Sequence, residues 1–144
     1  MRALSARRST GFALAAVLVL AACDDDATGP SMEEVAGTYV ATSLTATLPG
    51  SSPVDVLALD AELTLELDAD GTAAGHLFAP GMGDGGGDLD ADLAGTWTLN
   101  GNTVTLSSSA DTFVRDMPLT VSGETLVGDR TFDGVRIRVT LTRQ

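Results

Sequence analysis

The chain has 144 residues, with 20 acids against eight arginines, no lysine, one histidine and one cysteine. That length allows one domain around one core, and a single cysteine precludes an internal disulfide. Without a leader carrying Arg2, Arg7 and Arg8, five arginines face the 20 acids and the net charge is −15, which excludes nucleic acid as a partner and sets the body against anionic membrane surfaces.

Taken in chain order, Arg2, Arg7 and Arg8 precede a twelve-residue apolar run, Gly11-Phe-Ala-Leu-Ala-Ala-Val-Leu-Val-Leu-Ala-Ala22. A charged head followed by a short apolar stretch ending in small residues is the pattern of a secretory signal. As a helix the run would reach about 18 Å, short of the roughly 30 Å hydrocarbon slab. Thr10 stands where the twin-arginine signal expects an aromatic, so the general secretory route fits better.

Leu20-Ala21-Ala22-Cys23 then resembles the lipobox of bacterial lipoproteins at every position. The resemblance implies cleavage between Ala22 and Cys23, diacylglyceryl on the Cys23 sulfur and a further acyl chain on its new amine. Two or three acyl chains hold a soluble domain on a bilayer more or less permanently. The expected location is the bacterial cell envelope, with the membrane as partner through the anchor and the domain periplasmic or surface-exposed. Asp24 resembles the inner-membrane retention signal of enteric bacteria, and the leaflet stays open.

Residues 23–34 read as the lipidated cysteine and a flexible acidic spacer, punctuated by Gly29-Pro30. From Val35 to the end, residues 35–144, short apolar alternations separated by turn residues predict an all-β domain. Gly37 to Thr47 is the first strand. Ala61 to Asp68 is the clearest, with Leu63, Leu65 and Leu67 on a dry face and Glu62, Thr64 and Glu66 on a wet one. Asp68-Ala-Asp-Gly71 supplies the turn into Thr72 to Phe78.

Asn100-Gly101 is a favoured two-residue hairpin loop; it would set Leu99 opposite Asn102, Trp97 opposite Val104 and Gly95 opposite Leu106. Thr112 to Val121, interrupted near Pro118, and Glu124 to Phe132 are the next strands. Asp133-Gly134 leads into Val135 to Thr142, apolar at odd positions. The count is eight, in an antiparallel meander, and closure into a barrel removes the edges.

Val35-Ala-Gly-Thr-Tyr39 and Leu93-Ala-Gly-Thr-Trp97 both resemble the Gly-x-Trp entry of lipocalin-like barrels, and Val35 to Arg143 resembles the short lipocalin-like domains of bacterial lipoproteins. The first entry departs in placing Tyr39 where lipocalins have tryptophan. The resemblance implies a small eight-stranded up-and-down barrel with a small apolar ligand as partner. Candidate ligand-binding residues are Tyr39, Leu65, Trp97, Val104 and Ile137. Tyr39 and Trp97 fit either the floor of a cavity or the closed end as core. Leu63, Leu65, Trp97, Val104, Ile137, Val139 and Leu141 are large enough to fill the interior, whereas Ala73, Gly75 and Gly128 would leave room.

The remaining motifs carry little chemistry. Gly81-Met-Gly-Asp-Gly-Gly86 matches G-x-G-x-x-G, but acids follow it and no βαβ unit surrounds it, so it reads as a loop. Asp88, Asp90 and Asp92 form a weak candidate for an irregular Ca²⁺ site; neither frame of nearby acids makes an EF-hand. His76 is the lone imidazole, and no nucleophile elbow or zinc motif is present, so a non-enzyme without cofactor is expected.

Arg136 and Arg138 share a strand face, and acids such as Glu62 or Glu66 are their expected partners. Two functions fit. One is a ligand module, requiring a cavity of at least about 300 Å³ open at one end. The other is a protein-interaction or structural module of the envelope, using its acidic surface and a filled barrel.

Overall fold

The computed structural model describes residues 29–144, so the leader, Ala22 and Cys23 lie outside the described residues. Among the described residues ten strands form one antiparallel sheet: β1 Gly37–Thr47, β2 Val54–Asp55, β3 Glu62–Leu67, β4 Thr72–Ala79, β5 Leu89–Asp92, β6 Gly95–Asn100, β7 Thr103–Ser108, β8 Leu119–Ser122, β9 Thr125–Phe132 and β10 Val135–Arg143. They occupy eight positions around a closed barrel. β5 and β6 keep one register along β4, from Ala79↔Leu89 to Thr72↔Thr96, and are one strand broken at Leu93-Ala94. β2 and β3 lie on the same edge of β1, because β10 occupies the other edge from Tyr39↔Arg143 to Thr47↔Arg136. The up-and-down order and the β10–β1 seam leave no long open edge, as expected for a lipocalin-like barrel.

Period-two alternation explains the inner face. Leu63, Leu65 and Leu67 on β3 and Ile137, Val139 and Leu141 on β10 are buried, with polar residues between them turned outward. β1 breaks the alternation. A bulge between Ala41 and Ser43 inserts one unpaired residue, Thr42, whose hydroxyl lies 3.0 Å from that of Thr142. One extra residue reverses every side chain beyond it. Tyr39 therefore faces inward before the bulge, and Leu44 and Ala46 after it.

The structure corrects the sequence reading in four places. The β6–β7 loop is Gly101-Asn102, with Gly101 at φ 59° in the first central position of the turn. Leu99 thus pairs with Val104, Trp97 with Leu106 and Gly95 with Ser108. The shift is two residues, so Trp97 and Val104 keep a common inner face. The stretch predicted as a strand from Thr112 to Val121 is a helical turn, α2 Phe113–Asp116, followed by the short β8. The ordered fold begins before Val35: α1 Met32–Val35 is closed by a capping box in which Ser31 Oγ accepts from Glu34 N–H and Glu34 accepts from Ser31 N–H. The Ser31 N–H first, and then the Ser31 hydroxyl, hold the Glu34 carboxyl below its ordinary range. Finally, Gly75 and Gly128 leave no room inside. A Cβ on Gly75 would meet the Thr64 carbonyl oxygen, and one on Gly128 the Met117 side chain.

The barrel has two unlike ends. At one, α1 and the β3–β4, β6–β7 and β8–β9 turns close over Tyr39 and Trp97. At the other lie the long β1–β2 hairpin, the 80–88 loop, α2 and the Asp133-Gly134 turn, where both turn residues have positive φ.

Candidate functional site

At the capped end the polar tips of the core aromatics are fully used. The Tyr39 hydroxyl donates to the Val35 carbonyl at 2.6 Å and accepts from Arg143 Nη2 at 2.9 Å. Arg143 also donates to the Glu34 carbonyl, and its guanidinium carbon lies 5.4 Å from the Tyr39 ring centre. The Trp97 indole donates to the Asp68 carbonyl at 2.7 Å. These bonds tie α1, the last strand and the β3–β4 turn into a plug. Leu65 and Val104 are fully buried in the core above it.

The cavity lies at the opposite end. It has a volume of about 130 Å³ and is lined by Leu44, Thr45, Ala46, Val56, Ala79, Met82, Leu89, Phe113 and Ile137. β1 contributes its residues beyond the bulge, β10 contributes Ile137, and the 80–88 loop and α2 contribute Met82 and Phe113. Thr45 is the one lining residue with a polar side chain. A wall of hydrocarbon apart from that one hydroxyl offers little to hold a polar molecule, but a cavity of this size takes a benzene-sized group.

Of the five sequence-predicted ligand residues, Ile137 lines this cavity, while Tyr39, Leu65, Trp97 and Val104 pack the core away from it. Sequence reasoning missed Leu44, Ala46, Val56, Ala79, Met82, Leu89 and Phe113. Leu44 and Ala46 could not be placed without the bulge, which no residue type announces. The 130 Å³ volume falls below the 300 Å³ or more that encloses a drug-sized ligand, so the site holds part of a molecule.

The acidic residues have local tasks. Asp88 accepts from the Gly81 N–H at 3.0 Å and ties the loop base together, and Asp90 meets His76 Nε2 at 2.8 Å on the outside of the barrel. Asp88 lies in the loop and Asp90 and Asp92 on β5, and the first two carboxylates are already engaged by different partners. Among the described residues no group of three or more His, Cys, Asp or Glu is placed to hold a metal. Asp68 and Asp70 both accept from the Thr72 hydroxyl, and Asp70 also from the Thr72 N–H. These bonds, the hydroxyl first, lower the Asp70 carboxyl.

Arg136 and Arg138 pair with Asp129 of β9, where sequence reasoning expected Glu62 or Glu66. β3 lies on the far side of β1 from β10, out of reach. Arg136 grips Asp129 through both oxygens at 2.8 and 2.7 Å, and Arg138 Nε adds a bond of 2.7 Å. The Arg136 bonds, then the Arg138 bond, hold Asp129 at a pKa of about 2. Compared with family models, curated proteins and solved structures, the chain matches none of them.

Proposed function

We propose that the protein is a lipid-anchored bacterial envelope protein, held through Cys23, whose lipocalin-like barrel takes up a small apolar group without catalysing a reaction. The observation that carries the ligand reading is the cavity at the loop end, about 130 Å³ and walled almost entirely by hydrocarbon. Such a lining offers water few partners, and filling the cavity recovers dispersion contacts that its lining lacks. Calorimetry with benzene or 1-hexanol tests the reading, together with methyl NMR shifts. The expected result is saturable binding with shifts centred on Ile137; no heat and no shift with either probe would overturn it. The anchor is tested separately by the intact mass of the native product and by fractionation of Cys23→Ser, which should leave the membrane.

The filled lower barrel favours a second reading, a module that meets a cationic envelope partner through its acidic surface. Tyr39, Leu65, Trp97 and Leu141 are all buried there, each 2% exposed or less. This reading expects pull-down of a partner that is lost at high salt, and no response to apolar probes.

A further inference from the structure

The cavity does not end at the barrel rim. Ala46 lines it, and Val54 is the residue paired with Ala46 across the β1–β2 hairpin, so the two share a face. Leu48 stands two positions beyond Ala46, at the start of the turn that follows β1. Both are exposed, Leu48 at 53% and Val54 at 43%, and so is Met82 at the cavity wall, at 44%. Val54 on this hairpin and Leu48 just past the end of β1 each leave about half of their surface uncovered within the described chain. A cavity too small for a whole ligand thus opens beside an apolar strip running away from it.

The polar surroundings limit the other end of such a ligand. The loops at this end carry Asp55, Asp84, Asp88, Asp111, Asp116 and Asp133. Of the arginines there, Arg115 is held by Asp111 and Asp116, and Arg136, opposite Thr47 of β1, is held by Asp129. Arg130 is turned onto the Asp116 carbonyl and the Phe132 ring.

Resting on the apolar-ligand reading above, we infer that the ligand is a single unbranched aliphatic chain whose tip fills the cavity. The following methylenes lie along Val54 and Leu48, and the head, in water beside the aspartates, is uncharged or cationic. The strip acts as a second half of the binding site and selects for chain length. A methylene fully buried is worth about fourfold in affinity, and one covered on a single side about twofold.

Calorimetry with 1-hexanol and 1-decanol, on the wild type and on the double variant Leu48→Ser/Val54→Ser, tests this. Decanol should bind the wild type more tightly than hexanol by about tenfold or more, from four further methylenes at about twofold each. In the variant hexanol should bind as before, while the gain for decanol shrinks to less than about threefold. Both substituted residues are exposed, and an unchanged urea midpoint confirms that the fold is intact. Decanol binding no better than hexanol in the wild type, or a gain retained in the variant, overturns the strip. Decanoate binding more tightly than decanol would move the head onto Arg130 and overturn the assignment of its charge. Failure of hexanol itself to bind sinks the cavity reading, a result distinct from all of these.

Discussion

Replacing Tyr39 by Phe removes one oxygen and leaves the ring, its packing and its place under the Arg143 guanidinium unchanged. Tyr39 is only 1% exposed, so neither partner of its hydroxyl gains water in return. The Val35 carbonyl loses a donor at 2.6 Å, and Arg143 loses an acceptor at 2.9 Å while keeping the Glu34 carbonyl. Leaving a buried acceptor unpaired costs about 1–3 kcal/mol, and about 2 kcal/mol is the central expectation here. For a domain of roughly 110 residues, 1 kcal/mol moves Tm by about 4 °C, so the midpoint should fall by about 8 °C. Circular dichroism melts and urea titrations measure it, and the urea slope should not change. A double-mutant cycle with Arg143→Met should return a coupling of about 1 kcal/mol. Affinity for 1-hexanol should stay at the wild-type value, because the cavity lies at the other end. A loss of less than about 2 °C would refute the plug as an energetic unit, and a loss of hexanol binding would return Tyr39 to the ligand site.

Gly95→Ala should destabilise by about 3 kcal/mol or more, since a Cβ there collides with the Ser107 carbonyl oxygen of the paired strand and backbone must move; the urea midpoint reads it. Asp129, lowered to about 2 from 3.8, contributes stability that is complete above its unfolded value and lost as pH falls through its folded one. The difference between wild type and Asp129→Asn should therefore be constant above about pH 5 and close between about pH 4 and pH 2. Trp97 fluorescence should stay unchanged as the cavity fills, because its indole is fixed to the Asp68 carbonyl in the plug; a shift on adding hexanol would place the ligand elsewhere.

Most of the barrel was legible because its signals are local. Leu63, Leu65 and Leu67 alternate with polar residues, and Asp133-Gly134 names its own turn, so faces and strand order follow from periods and loops. The hairpin at Asn100-Gly101-Asn102 contains two adjacent pairs that each suit a two-residue loop, and only pairing with the rest of the sheet selects Gly101-Asn102. The Ser31-x-x-Glu34 capping box is a helix signal in the sequence before Val35, but it sits within an acidic, Gly-Pro-punctuated stretch whose composition points to a spacer. The bulge at Thr42 was not legible at all. It is decided by where β1 must meet β10, and it alone turns Leu44 and Ala46 toward the cavity. The partners of Arg136 and Arg138 likewise depend on which strands are neighbours. That β9 rather than β3 borders β10 follows from the closure of the barrel at β1.

The two ends of the barrel also bear on how an anchored molecule would stand. A Cβ on Gly29 would lie 3.1 Å from Asn102 Oδ1 and from the Gly101 carbonyl oxygen, so the chain enters the described fold against the β6–β7 turn, at the capped end. Cys23 is six residues earlier, a reach of at most about 21 Å. β1 has 11 residues, about 36 Å along the strand, and at a barrel tilt of about 35–45° the wall stands about 25–30 Å from the capped end to the loops. For a chain held through Cys23, as proposed, the capped end then faces the bilayer and the cavity opens away from it. The apolar group would be met at a distance from the anchoring membrane, which explains how Leu48, Val54 and Met82 can stay exposed at the mouth without burying themselves in the protein's own lipid surface. Fluorophores at Asn102 and at Ser51 in vesicle-anchored protein test the orientation through headgroup quenchers. The Asn102 label should be quenched strongly and the Ser51 label weakly. Equal quenching would show a barrel lying on its side, and stronger quenching at Ser51 would make the apolar rim itself the membrane contact.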